Sequence, residues 1–90
     1  MAEPAFDEVI LLVAREYGIP VAILHGRRKD VRAAEPRLVC YYLLRQHTMM
    51  GWSEIGRVFC RDHSTIYEGI ATLHRRMLSD ILFREKVERI

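Results

Sequence analysis

The sequence predicts an all-α protein, a compact bundle of about six helices with a helix-turn-helix inside it. Three observations carry that expectation. Apolar residues recur at helical spacing along most of the chain, and no segment alternates with period two over a useful length. Proline and glycine fall where such helices should start and stop. Between two late amphipathic stretches lies Arg61-Asp62-His63-Ser64-Thr65-Ile66, a tight turn that feeds a helix start.

Each element can be justified in order. Pro4 suits a first helical turn, and Phe6, Val9, Ile10, Val13, Ala14 and Tyr17 then form one face before Gly18 ends the helix. Pro20 opens a short second helix with Val21 and Leu24 inward, closed by Gly26. Arg27 to Ala34 reads as a basic connection. Pro36 reopens the helix, and Leu38 to Leu44 is apolar nearly all round, as in a strut packed on all sides. It runs to about Thr48. Trp52 to Phe59 is short and amphipathic, with Trp52, Ile55, Val58 and Phe59 on one side. Cys60-Arg61 is the turn, and Asp62 caps the next helix. There Ile66, Ile70, Leu73 and Met77 make a buried stripe. Leu78 to Asp80 marks a break. Ile81, Leu82, Val87 and Ile90 belong to a charged terminal helix open to fraying.

Length and composition bound the function. Ninety residues make one domain, 1–90, with the helix-turn-helix at about 52–77 and the terminal helix at about 80–89. Half the residues are apolar and 29% are charged, which is globular rather than disordered composition. No apolar run reaches membrane-spanning length, and the start lacks a secretory signal, so a cytoplasmic location is expected. Cys40 and Cys60 read as buried free thiols. The start at Met1 and the finished first helix favour a natural short protein.

Net charge is only +2, but it is unevenly placed. Met1 to His25 holds Arg15 against four acids, whereas Gly26 to Arg45 holds six bases against Asp30 and Glu35. A local basic segment in a near-neutral chain implies a positioned phosphate contact rather than a sticky polycation.

The chemistry legible here is recognition. His63, Ser64 and Thr65 start the second helix of the motif and lie off its buried stripe. In a helix-turn-helix that first turn reaches base edges in the major groove. The helix N-terminus also favours a phosphate. Arg27, Arg28 and Lys29 form a basic loop that can lie across a backbone or enter a minor groove. Arg37 and Arg45 are eight positions apart, which is slightly over two turns, so they are expected to share a face and straddle phosphates. Cys60 and His63 have C-x-x-H spacing but no second pair at finger spacing, so no metal is expected. No phosphate-binding Gly-rich loop and no nucleophile-base-acid set is present, so neither a nucleotide, a cofactor nor an enzymatic reaction is expected.

These pieces resemble the C-terminal DNA-binding domain of the bacterial replication initiator family, DnaA, over roughly residues 6–77. The likeness rests on Val13-Ala14 with Tyr17, the short helix 21–25, the basic loop 27–29, Pro36-Arg37, Glu54-Ile55-Gly56, Phe59, and above all Arg61-Asp62-His63-Ser64-Thr65-Ile66. The resemblance implies binding of double-stranded DNA at short DnaA-box-like sites. Asp62, His63, Ser64 and Thr65 would contact bases. A residue of the Arg27-Arg28-Lys29 loop, best aligned with Lys29, would enter the minor groove. Arg37, Arg45 and Arg61 would meet phosphates. The chain departs from the family pattern at Cys60, which stands where two glycines are usual, at Glu35 and Leu38 around the Pro-Arg pair, and at Ser53 in place of a proline. The initiator's ATPase domain is also missing, so an ATP-driven assembly is not expected. The resulting expectation is sequence-specific duplex binding that regulates replication initiation or transcription. The alternative is a helical adaptor that binds another protein through the acidic first helix or the charged terminal helix.

Overall fold

The computed structural model describes residues 6–25 and 31–90, with the side chain of His25 excepted. The helices are α1 (Phe6–Tyr17), α2 (Val21–His25), α3 (Ala34–His47), α4 (Trp52–Phe59), α5 (His63–Ser79) and α6 (Ile81–Arg89), with a 3-10 turn at Val31–Ala33 leading into α3. Among the described residues there is no strand. Pro4, Gly26 and the whole Arg27-Arg28-Lys29 loop lie outside the described residues.

α1 buries Val9, Ile10, Val13 and Ala14, as its spacing predicts. It ends in a Schellman arrangement: Gly18 has φ +63°, its N–H donates to Arg15, and the N–H of Ile19 donates to Ala14 at 3.0 Å. α3 is the strut. Val39, Cys40, Tyr41, Leu43 and Leu44 are all buried, and both α1 and α5 pack against it. Burial of the thiol pushes Cys40 up to about 12, against the opposing charge of Arg37, so it is an inert core residue.

α5 lays the stripe Ile66, Leu73 and Met77 into the core, with Ile70 partly buried beside them. Gly69 lets it cross α3 closely: a Cβ there would sit 2.7 Å from Leu38 Cδ2 and 3.4 Å from the Tyr41 ring. Leu38, one of the departures from the family pattern, is therefore a packing residue against α5.

Asp80 serves two helices. Its N–H closes α5 on the Arg76 carbonyl, and its carboxylate caps α6 by accepting from the Phe83 N–H at 3.1 Å. Of the apolar residues of α6, Phe83 and Val87, one turn apart, are buried, whereas Ile81 and Leu82 are 59% and 76% exposed. The terminal helix is also well tied. Arg89 pairs with Glu16 at 3.1 Å, the Lys86 ammonium sits 3.9 Å from the Tyr17 ring centroid, and the Arg76 guanidinium lies 3.8 Å from that of Phe83.

Candidate nucleic-acid interface

The turn between α4 and α5 is built by three residues. Gly56 comes first: a Cβ there would lie 2.5 Å from the backbone oxygen of Arg61, so any side chain must push the turn away. Cys60 then takes the left-handed conformation, with φ +57°. Its N–H donates to Arg57 at 3.4 Å, and the N–H of Arg61 donates to Gly56 at 2.7 Å. This is the same termination that Gly18 gives α1, here made by a cysteine. Cys60 is exposed, which corrects the expectation of a buried thiol: the conformation that reverses the chain turns the side chain outward.

Asp62 is the third. Its backbone is extended and its carboxylate accepts from the N–H of Ser64 at 3.3 Å, an N-cap. The Ser64 hydroxyl donates to the same oxygen. Hydrogen bonds from the Ser64 hydroxyl and N–H, with the neighbouring imidazole, hold Asp62 below the usual carboxylate range, so it stays ionised. His63 Nδ1 lies 3.6 Å from the other carboxylate oxygen. His63, Ser64 and Thr65 are exposed, while the next residue, Ile66, is fully buried. The tip thus presents an imidazole, a methyl-bearing hydroxyl, and a serine oxygen whose proton is engaged and whose lone pairs remain to accept.

What fixes the direction of α5 lies at its other end. Tyr17 of α1 donates its hydroxyl to Glu35 of α3 at 2.5 Å, and Arg76 of α5 pairs with the other oxygen of Glu35. Burial raises the Glu35 pKa, but the hydrogen bonds from Tyr17 and Arg76 and the charges of Arg76 and Lys86 outweigh it, so the carboxyl is held low. Burial first, then the carboxylate, drives Tyr17 far above its ordinary value, which keeps it a donor. Glu35, anomalous as a would-be phosphate-facing residue, is the tie between three helices.

The arginines divide. Arg37 is buried, and its guanidinium donates to the carbonyls of Ile23 at 2.7 Å and Leu24 at 3.2 Å. It caps the end of α2 instead of standing on the surface as a phosphate arm. It also does not share the open face of Arg45: eight residues advance about 80° beyond two turns, enough to turn one inward and leave the other exposed. Arg61 is half-buried and folds back onto the carbonyls of Phe59 and Cys60 at 3.4 and 3.2 Å. Arg45 remains exposed in the last turn of α3.

Sequence reasoning missed four exposed neighbours. Trp52 and Val58, expected on the inner side of α4, are 39% and 38% exposed, and Gly56 takes the inward position between Ile55 and Phe59. Tyr67, one turn beyond His63, is 52% exposed and meets Trp52 edge to face, centroids 4.8 Å apart. The Arg45 guanidinium lies 5.4 Å from the Trp52 ring. Arg57 is exposed on α4. The signal for Tyr67 was its four-residue step from His63 along the open face.

Among the described residues no group of His, Cys, Asp and Glu could hold a metal ion, and no helix is long and apolar enough to cross a membrane. A short helix, a reversal around glycine and a left-handed residue, and a capped helix with a polar exposed tip define a helix-turn-helix of the DNA-binding class. The profile of the family described as bacterial dnaA protein helix-turn-helix matches residues 6–72. Similar proteins include the chromosomal replication initiator protein DnaA 2 of Protochlamydia amoebophila, 30% identical over 74 residues, 82% of this chain and 16% of that protein. Another is DnaA of Chloroflexus aurantiacus, 32% identical over 82 residues, 90% of this chain and 17% of that one. DnaA of Xanthobacter autotrophicus is 29% identical over 83 residues, 91% and 16% respectively. The chain belongs to the DnaA helix-turn-helix family, and it spans about one sixth of the length of these relatives.

Proposed function

We propose that this chain reads double-stranded DNA in a sequence-specific way at DnaA-box-like sites and regulates replication initiation or transcription by occupying them. One observation carries the reading. The only exposed side chains in the first turn of α5 are His63, Ser64 and Thr65, and they stand on a turn that Gly56, Cys60 and Asp62 hold in place. Placed in a major groove, the imidazole and hydroxyls meet base edges and the Thr65 methyl can meet a thymine methyl. Asp62 acts mainly by orienting Ser64. Arg45 and Arg57 face the flanking phosphates, and Arg61 joins them by releasing its own turn carbonyls. Lys29, with Arg27 and Arg28, is assigned to the adjacent minor groove on the family resemblance alone.

The test is a binding series on box DNA and scrambled duplex. His63→Ala should weaken box binding by about 5- to 150-fold, since a good base contact is worth about 1–3 kcal/mol, and should leave scrambled DNA nearly unaffected. Lys29→Ala and Arg45→Ala should weaken both, with a shallower dependence on salt. Wild-type affinity in both His63→Ala and Lys29→Ala would remove the assigned roles. A protein partner is a compatible second surface. Leu11 and Leu12 on α1 and Ile81 and Leu82 on α6 are exposed on the two segments that the alternative adaptor reading names.

A further inference from the structure

Beside the reading tip, the ends of α3 and α4 and the middle of α5 enclose an open cleft of about 180 Å³. Three aromatic side chains line it, Tyr42, Trp52 and Tyr67, together with the polar Gln46 and His74. Trp52 and Tyr67 are held edge to face at 4.8 Å, so their rings are already oriented, and Arg45 stands over Trp52 at 5.4 Å. Tyr67 is more than half exposed and Trp52 more than a third. The two touch each other, so they form one exposed aromatic patch that a partner can cover.

We propose that this cleft is a stacking site for an unpaired nucleobase of single-stranded nucleic acid. The chemistry points to a base more than to a peptide. A flat heteroaromatic ring gains from packing against exposed aromatic side chains at low ordering cost. The amide of Gln46 and the imidazole of His74 supply donors and an acceptor at the rim, as a base edge requires and an apolar peptide side chain does not. Arg45 adds a positive charge where the linking phosphate would pass. The site shares Arg45 with the duplex reading but makes no use of His63, Ser64 or Thr65. Because cleft and tip are adjacent on α5, a strand stacked in the cleft competes with a duplex on the tip.

Trp52 is the sole tryptophan of the chain, so its fluorescence reports on the site directly. Unlabelled oligothymidylate and oligoadenylate should quench it with saturation. An abasic oligomer of the same length should bind about 5- to 150-fold more weakly, as base–aromatic stacking is worth about 1–3 kcal/mol per base. With end-labelled oligomers followed by anisotropy, Trp52→Leu and Tyr67→Ala should each lose about tenfold, while His63→Ala should bind the single strand as wild type does. Backbone amide shifts in the wild-type chain give a mutation-free check and should centre on Gln46, Trp52, Tyr67 and His74. Equal binding of abasic and normal oligomers, or wild-type affinity in folded Trp52→Leu, overturns the proposal. So does loss of single-strand binding in His63→Ala, which places the strand on the tip. Loss of duplex binding alone in that variant supports the proposal, because the two sites are then separate.

Discussion

The two ends of α5 are built on opposite terms. At the N-terminal tip, Asp62 to Thr65 are exposed and are held by one cap and one tight turn. At the other end, Leu73 and Met77 are buried, and Arg76 is tied to Glu35 and stacked on Phe83. The first end is polar and open, and therefore available to a ligand. The second makes the helix a rigid lever. Recognition by a helix tip needs both, because a tip is only as well placed as its far end is fixed.

The sharpest way to break that division is to empty the anchored end. Leu73 is 1% exposed in the centre of the stripe. Leu73→Ala should cost about 2–5 kcal/mol, the transfer loss plus the cavity left behind. For a domain this small that is most of the stability, and melting temperature should drop by tens of degrees. His63→Ala at the open end should leave melting nearly unchanged while DNA affinity falls. Thermal melts of the two variants, run beside the binding series, test the separation. A large melting shift in His63→Ala would show that the tip is part of the core after all.

A smaller effect belongs to the tie itself. Glu35→Gln keeps an acceptor for Tyr17 but removes the charge facing Arg76. The expected cost is about 1 kcal/mol, below the usual range for charged hydrogen bonds because Arg76 is half exposed. The pH dependence sharpens the assignment. The folded-state pKa of Glu35 is depressed, so its stabilisation is complete above the unfolded value of about 4.3 and is lost as pH falls through the lower folded value. Wild type should exceed Glu35→Gln by a constant margin at neutral pH, and the two should converge in acid. Denaturant melts at a series of pH values measure this. A margin that persists below the folded value would mean that the side-chain amide fails for steric reasons.

Much of this arrangement was legible in the residues. The stripe on α5, the stop at Gly18, the cap at Asp62 and the outward tip follow from spacing and cap chemistry, which are local. What escaped was set by distant chain. Arg37 reads as a surface base until the end of α2 places two carbonyls against it, and no spacing within α3 encodes that. Glu35 reads as a hindrance to phosphate until Tyr17 and Arg76, far away in sequence, converge on it. Trp52 and Val58 look like core because they are apolar. α4 is only eight residues long, however, and a close crossing at Gly56 takes the inward position. On α6 the i, i+4 pair Phe83 and Val87 carried the correct signal against the more conspicuous Ile81-Leu82.

The smallest change refines the comparison at the hinge of the motif. α1 and α4 end with the same pair of hydrogen bonds, yet one uses Gly18 and the other Cys60 at nearly equal positive φ. A side chain in the left-handed region costs about 1–2 kcal/mol, partly offset by the greater unfolded-state freedom of glycine. Cys60→Gly should therefore stabilise the chain by about 0.5–1 kcal/mol. The corresponding Gly18→Ala should destabilise it, although no atom lies within 4 Å of the added Cβ, because only the backbone conformation opposes it. Paired denaturant melts of the two variants give opposite signs if both turns are governed by φ alone. If Cys60→Gly lowers stability instead, the exposed thiol has a stabilising interaction in the turn that offsets its strain, and the shorter hinge of this chain is held by more than its backbone.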